Sequence, residues 1–227
     1  MEIEIQSTAD GSKTIFVPSL DEHYHSIKGA LTESQHIFIK MGLHECTAKE
    51  PRILEVGFGT GLNAILTLEE AEKRGKIHYT TLERYPLPLE IVHQLGYDKL
   101  LDEKTASYFP ILHQVPWNEW QEITENFRLR KIECDLTTLK IEEGYDVIYY
   151  DAFAPEKQPD MWTQEIFDKL YTCMAPNGIF VTYCAKGVVR RMLQTAGFSV
   201  ERLAGPPNGK REILRGKKSG ELCAPHL

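Results

Sequence analysis

No C-x-x-C pair occurs in this sequence. Its five cysteines, Cys46, Cys134, Cys173, Cys184 and Cys223, stand far apart, which argues against a zinc site or a disulfide framework and for reduced intracellular thiols. No apolar run is long enough to span a bilayer, and the start M-E-I-E-I-Q lacks the basic end and apolar core of a signal peptide. A cytoplasmic protein that does not enter the membrane is therefore expected. The phosphate loop G-x-x-x-x-G-K-[ST] is missing too. Positive charge is in deficit: the formal net charge is −7, which speaks against broad non-specific nucleic-acid binding but leaves room for a local basic strip. Two histidines with acids nearby, in D-E-H-Y-H at 21–25, follow no usual ligand spacing, so no metal is expected.

What is present is an ordinary soluble composition, 42% apolar and 26% charged over 227 residues, enough for one substantial core with decorations. The organising stretch is Arg52–Asn63, R-I-L-E-V-G-F-G-T-G-L-N. Ile53, Leu54 and Val56 read as a buried strand. Gly57, Gly59 and Gly61 permit a tight turn and close backbone approach before a helix begins near Leu62. Such a turn either binds a nucleotide-like ligand against helix-start N–H groups or is only a tight α/β connection.

Ahead of it, Glu2–Gln6 and Thr14–Val17 suggest a small hairpin, and Leu31–Met41 a helix ended by Gly42. Behind it, helices are expected at Leu62–Lys73, Pro86–Leu95, Met161–Met174 and Val188–Ala196. Strands are expected at Lys76–Leu82, Phe127–Ile132, Tyr145–Tyr150 and Ile179–Tyr183. Pro86 is expected in the first turn of its helix, and Pro176–Asn177–Gly178 as a break between helix and strand. Gly96–Asn126 reads as helix and loop over one sheet edge. Phe198–Leu203 and Glu212–Arg215 read as a closing hairpin around G-P-P-N-G. The alternation implies an α/β fold with a mostly parallel sheet. The expected organisation is an extension over 1–45, a Rossmann-like domain over 46–218 and a loose tail over 219–227.

In a doubly wound sheet, ligands sit beyond the C-terminal strand ends. Glu55, Glu83, Asp135 and Asp151 are the acids delivered there. Glu83 follows the glycine turn by about twenty residues, an offset that suits a carboxylate on two ribose hydroxyls. No second mononucleotide half follows, so a nucleoside such as S-adenosylmethionine fits better than a dinucleotide. Asp135 is then a candidate for the adenine side, or an exposed loop acid. The most distinctive stretch is D-A-F-A-P-E-K-Q-P-D-M-W, Asp151–Trp162, in which a buried strand ends in an acid and a proline-stiffened loop. Asp151 can stabilise charge developing on an attacking amine, or merely cap the next turn. Phe153 and Trp162 can sandwich a base or fill space under the loop. Lys157, Lys186, Arg190, Arg191, Lys210 and Arg211 allow a tRNA footprint, though each alone is an ordinary surface charge.

Together these motifs carry a resemblance. D-E-H-Y-H-S (21–26), G-A-L-T-E-S (29–34), E-V-G-F-G-T-G-L-N (55–63), the block from Asp151 to Thr163, A-K-G-V-V-R-R-M-L-Q-T-A-G-F (185–198) and G-K-R-E-I-L-R-G (209–216) follow in order. The chain resembles the methyltransferase of the tRNA 5-methylaminomethyl-2-thiouridine biosynthesis family, in stand-alone form. The resemblance implies the seven-stranded Rossmann-like methyltransferase fold with a terminal antiparallel hairpin. It also implies methyl transfer from S-adenosylmethionine to the exocyclic amine of 5-aminomethyl-(2-thio)uridine at the tRNA wobble position. Implied cofactor residues are Glu55, Gly57, Phe58, Gly59, Gly61, Asn63, Glu83 and Asp135. Asp151 is implied as the catalytic group, and Phe153, Lys157, Trp162, Lys186, Lys210 and Arg211 as substrate contacts. Many members of the family carry a fused FAD-dependent oxidase domain, for which 227 residues leave no room, so the aminomethyl group is expected to come from a separate enzyme. The rival readings are a methyltransferase for a small-molecule or protein amine, and a non-catalytic binding module of the same fold.

Overall fold

The computed structural model describes residues 2–220; the expected tail lies outside them from residue 221 on, as does Cys223. Strands β1 (Glu4–Ser7), β2 (Lys13–Val17) and β3 (Glu22–His23) form a small antiparallel sheet. Helix α1 (Ala30–Ser34) follows, and the expected Leu31–Met41 helix continues from it as wider π-type turns over Gln35–Lys40. The main domain runs β4 (Arg52–Val56), α2 (Leu62–Arg74), β5 (Ile77–Glu83), α3 (Leu89–Leu95), α4 (Glu103–Gln114), β6 (Trp120–Glu122), β7 (Phe127–Glu133), β8 (Tyr145–Tyr150), α5 (Gln164–Cys173), β9 (Met174–Thr182), α6 (Gly187–Ala196), β10 (Ser199–Ala204) and β11 (Glu212–Lys217).

The large sheet has the order β10-β11-β9-β8-β4-β5-β7-β6. Strands β7, β5, β4, β8 and β9 are parallel, and β11 runs antiparallel between β9 and β10. Seven of the eight strands match the expected arrangement. The eighth, β6, pairs antiparallel with β7 at the far edge, in the stretch expected to be helix and loop.

β4 is central, hydrogen-bonded to β5 and β8. Helices cover both faces, so every residue of it after Arg52 is buried: Ile53, Leu54 and Val56, with Glu55 the one acid among them. Side chains alternate between two cores. Ile53, Tyr79, Val147 and Tyr149 join α2, α4 and residues of the N-terminal extension, among them Ile15, Val17, Ile37 and Phe38. Leu54, Ile148, Tyr150 and Phe180 join Phe167, Leu170, Val189 and Leu193 of α5 and α6 on the other face.

Three boundaries depart from expectation for local reasons. Helix α3 begins at Leu89 with Pro88 in extended conformation at its cap, so Pro86 lies outside it; a residue before proline is biased away from helix, and Leu87 precedes one. Helix α5 begins three residues after Met161, because Thr163 caps it, accepting from the Ile166 N–H at 3.3 Å. Pro176–Asn177–Gly178 does not separate α5 from its strand: it lies within β9 as an irregularity in pairing to β8, with Asn177 left-handed at φ 63°.

Candidate active site

A cleft of about 480 Å³ opens at the C-terminal ends of β4, β5, β7 and β8. The chain passes from β4 to β5 on one side and later to β8 on the other, so the cleft lies at the order switch of the sheet. Ser19, Leu20, Tyr24 and His25 from the N-terminal extension supply a further wall.

The glycine turn forms its floor. Gly57, Gly59 and Gly61 all have positive φ, at 93°, 48° and 74°. A Cβ on Gly57 would lie 2.9 Å from the backbone oxygen of Asp151, and one on Gly61 would lie 2.6 Å from the His113 imidazole. The turn is therefore restricted to glycine by both conformation and space. Phe58 anchors it, packing against His113 and Trp117 at ring-centroid distances of 5.0 and 6.0 Å. Below this cluster the buried Lys131 ammonium donates to the His113 carbonyl at 2.6 Å, and burial lowers its pKa to about 8.

Two acids rim the opposite side. Glu83, closing β5, accepts from the Gly59 N–H at 2.9 Å and from the N–H groups of Arg84 and Tyr85, which clamp its carboxylate beside the turn. Asp135 follows β7. Hydrogen bonds from the Thr137 hydroxyl and N–H hold its carboxyl below the usual range, and Arg84 pairs with it at 2.8 Å.

Asp151 stands at the end of β8, between turn and loop. Its Oδ2 accepts from Asn63 Nδ2 at 2.9 Å, tying it to the first turn of α2. Burial above all, then the Glu33 carboxylate, pushes its pKa up to about 7, against the Asn63 hydrogen bond and the Lys210 charge. At neutral pH it is poised between accepting and holding a proton. The loop beyond is braced from within: the Phe153 N–H donates to Gln158 at 3.1 Å, and Trp162 Nε1 donates to the Phe153 carbonyl at 2.7 Å.

Of the site residues expected from sequence, Gly57, Phe58, Gly59, Asn63, Glu83, Asp135, Asp151, Phe153 and Lys157 line this one cleft. Phe153 meets Tyr24 edge-on at 5.0 Å, and Lys157 pairs with Asp21 at 3.6 Å. The others lie off its lining. Glu55 is fully buried on the α2 side of the sheet, accepting from Thr81 at 2.7 Å, because alternation along β4 turns it to the same face as Ile53. Burial raises its pKa to about 8. Trp162 is 6% exposed and packs on Tyr150, Phe167 and Tyr183, filling the space under the loop rather than facing a base. Gly61 backs onto His113. Lys186 pairs with Glu156 at the surface, and Arg211 is exposed. Lys210 reaches Tyr183 and Glu33 beside the cleft.

Residues 98–219 match the family model described as S-adenosyl-L-methionine-dependent methyltransferase, more than half of the chain. The chain belongs to this family of methyltransferases. Curated proteins similar to this methyltransferase include the tRNA 5-methylaminomethyl-2-thiouridine biosynthesis bifunctional proteins MnmC of Cupriavidus necator, 31% identical over 84% of this chain and 31% of that one, and of Pseudomonas fluorescens, 31% identical over 88% and 32%. The chain thus spans about a third of the length of the curated relatives it matches. Among solved structures, MNMC2 from Aquifex aeolicus aligns over all of this chain and 73% of that one, with 26% identity and a TM-score of 0.75. Spermidine synthase from Thermotoga maritima shares the fold, at 16% identity, 96% and 69% coverage and a TM-score of 0.59. These likenesses bear out the family resemblance carried by the motifs.

The cofactor of this family is S-adenosylmethionine. The methyltransferase has a cleft that fits a nucleoside-sized group: the volume suffices, the glycine floor leaves backbone bare, and Glu83 and Asp135 present carboxylates on its rim. What sequence reasoning passed over is the contribution of the extension. Tyr24 and His25 line the cleft, and Glu33 influences Asp151 from α1. The signal was there in D-E-H-Y-H-S and G-A-L-T-E-S, motifs without a periodicity that marks a core face. No helix among the described residues is long and apolar enough to cross a membrane, and they hold no cluster of three or more metal-type ligands.

Proposed function

We propose that this methyltransferase transfers the methyl group of S-adenosylmethionine to the exocyclic amine of 5-aminomethyl-(2-thio)uridine at the wobble position of tRNA, giving 5-methylaminomethyl-(2-thio)uridine. The observation that carries the reading is Asp151: an acid with a pKa of about 7, held by Asn63 at the junction of the glycine turn and the Phe153 loop. The names of the relatives, which concern 5-methylaminomethyl-2-thiouridine biosynthesis in tRNA, supply the substrate class.

In this reading Gly57, Phe58, Gly59 and Asn63 cradle the cofactor, Glu83 accepts from its ribose hydroxyls and Asp135 faces its adenine. When bound, S-adenosylmethionine supplies an electrophilic methyl carbon on a sulfonium. The acceptor amine attacks only when neutral, so the residues around it must orient it and handle one proton. Asp151 does both, accepting a hydrogen bond from the amine and offsetting the positive charge that grows on nitrogen. Phe153 and Tyr24 offer an aromatic corner for the uracil ring. Lys157, Lys186, Lys210 and Arg211 serve the tRNA backbone, the last three from exposed positions. The substrate must already carry its aminomethyl group, so this step follows whichever activity installs it.

The test is incubation with methyl-labelled S-adenosylmethionine and tRNA from cells lacking the modification, followed by nucleoside analysis. Label in 5-methylaminomethyl-(2-thio)uridine is expected. Label only in other nucleosides, or transfer to small-molecule or protein amines without tRNA, would overturn the reading.

A further inference from the structure

Beside Asp151 lies a second charged cluster, in which the roles above leave Glu33 and Tyr183 unused and take Lys210 only as a tRNA contact. Glu33, on α1, is 7% exposed. Its Oε1 accepts from the Ser26 N–H at 3.1 Å, while its Oε2 is buried without a hydrogen-bond donor. The nearest cation is the Lys210 ammonium, at 3.6 Å, in charge contact but beyond hydrogen-bond reach. That ammonium also sits 3.6 Å from the centroid of the Tyr183 ring, well inside cation–π range. Tyr183 is fixed there by its hydroxyl, which donates at 2.9 Å to the carbonyl of Ala152, the residue after Asp151. His25, buried and kept neutral, adds no competing positive charge: desolvation lowers its pKa to about 4.

A free buried carboxylate oxygen, an aromatic face and a second carboxylate nearby make a site for a cation. Lys210 fills it from outside, on a side chain 42% exposed and carried by the loop after β10. The acceptor named above, before it passes to Asp151 the proton that it must lose to attack, presents the same chemical group, an ammonium on a short alkyl arm. We propose that Glu33 and the face of Tyr183, next to Asp151, form the subsite for the acceptor's ammonium, and that Lys210 occupies it as an internal ligand until that group arrives. This rests on the reading that the acceptor is an amine. With Lys210 displaced, Glu33 and Asp151 leave the pocket short of positive charge, so a cationic arm is favoured over a neutral one such as hydroxymethyl. The influence of Glu33 and Lys210 on Asp151 is consistent with such a shared pocket.

The variant Glu33→Gln keeps an oxygen for the Ser26 N–H and removes the charge. The measurement is equilibrium binding, with S-adenosylhomocysteine present, of tRNA carrying 5-aminomethyluridine against the same tRNA carrying unmodified uridine. The wild type is expected to prefer the aminomethyl form about tenfold, a difference of about 1.4 kcal/mol. E33Q is expected to bring the ratio close to one, with unchanged melting temperature and S-adenosylmethionine affinity. K210A is expected to keep or enlarge the ratio, even where overall tRNA affinity falls. A preference that survives in E33Q, or disappears in K210A, overturns the subsite. A protein that methylates no tRNA would fail the functional reading instead. The subsite is then read by titrating ethylammonium into K210A and following the Tyr183 ring resonances. A saturable shift that E33Q/K210A lacks supports it, and no shift in K210A overturns it.

Discussion

Asp151 is held where its charge is least comfortable. Replacing it with asparagine keeps the shape and removes both the proton acceptor and the charge, so turnover should fall by about 10²–10⁴-fold, while calorimetric affinity for S-adenosylmethionine stays within a few-fold. Near-wild-type turnover in D151N would remove it from the chemistry. The single-turnover rate should rise with pH through about 7 as Asp151 gives up its proton. Glu55 offers a separate reading of pH, in stability. Its folded pKa, about 8, lies above its ordinary value of 4.5, so the stabilisation it contributes is complete below 4.5 and is lost as pH climbs through 8. His25 and His113 work in the opposite sense, but only below their ordinary value of 6.5. Between pH 6.5 and 8, E55Q should therefore lose less melting temperature than the wild type, and parallel losses in both proteins would contradict the assignment. Glu55 also shows what the motif hid: its place just before the glycines suggests a ligand contact, yet the two-residue period of β4 turns it into the core.

Elements differ in how clearly they were written in the sequence. The central strands β4 and β8 were legible because strands covered on both faces carry apolar residues on both, Ile53, Leu54 and Val56 in one and Val147 to Tyr150 in the other. The edge strand β6, W-Q-E, has three half-buried or exposed residues and no pattern to betray it; only its pairing to β7 makes it a strand. Helix α5 starts later than its helical pattern suggests, because a cap is a local signal that such a pattern blurs. T163A should remove that cap and lower stability by about 1 kcal/mol in urea denaturation, without altering S-adenosylmethionine affinity. Gly57 bears on the turn as an element. G57A must adopt φ 93° and press its methyl to 2.9 Å from the Asp151 carbonyl. A stability loss of about 1–3 kcal/mol and weakened cofactor binding are expected, and an unperturbed G57A in both assays would refute the packing described.

At the scale of the whole molecule, the cleft is built from parts of the chain that no local pattern connects. The strand ends were predictable as a group because sheet topology delivers them to one side. The meeting of Glu33, Tyr183 and Lys210 was not, since α1, the end of β9 and the loop before β11 come together only when both cores have formed. The N-terminal extension shares its core with the main domain through Ile15 and Val17 of the small sheet and Ile37 and Phe38 after α1. A version beginning at residue 46 should therefore expose that apolar surface and aggregate, as seen by size-exclusion chromatography.

Because Ser19, Leu20, Tyr24 and His25 wall the cleft floored by Gly57 and Gly59, a ligand bound there would touch two pieces of chain that are remote in sequence. Its binding energy then acts as a clasp on the small sheet. Deuterium uptake at the backbone of residues 19–25 should slow when S-adenosylmethionine is added, making the extension a reporter of occupancy at a turn more than thirty positions further along the chain.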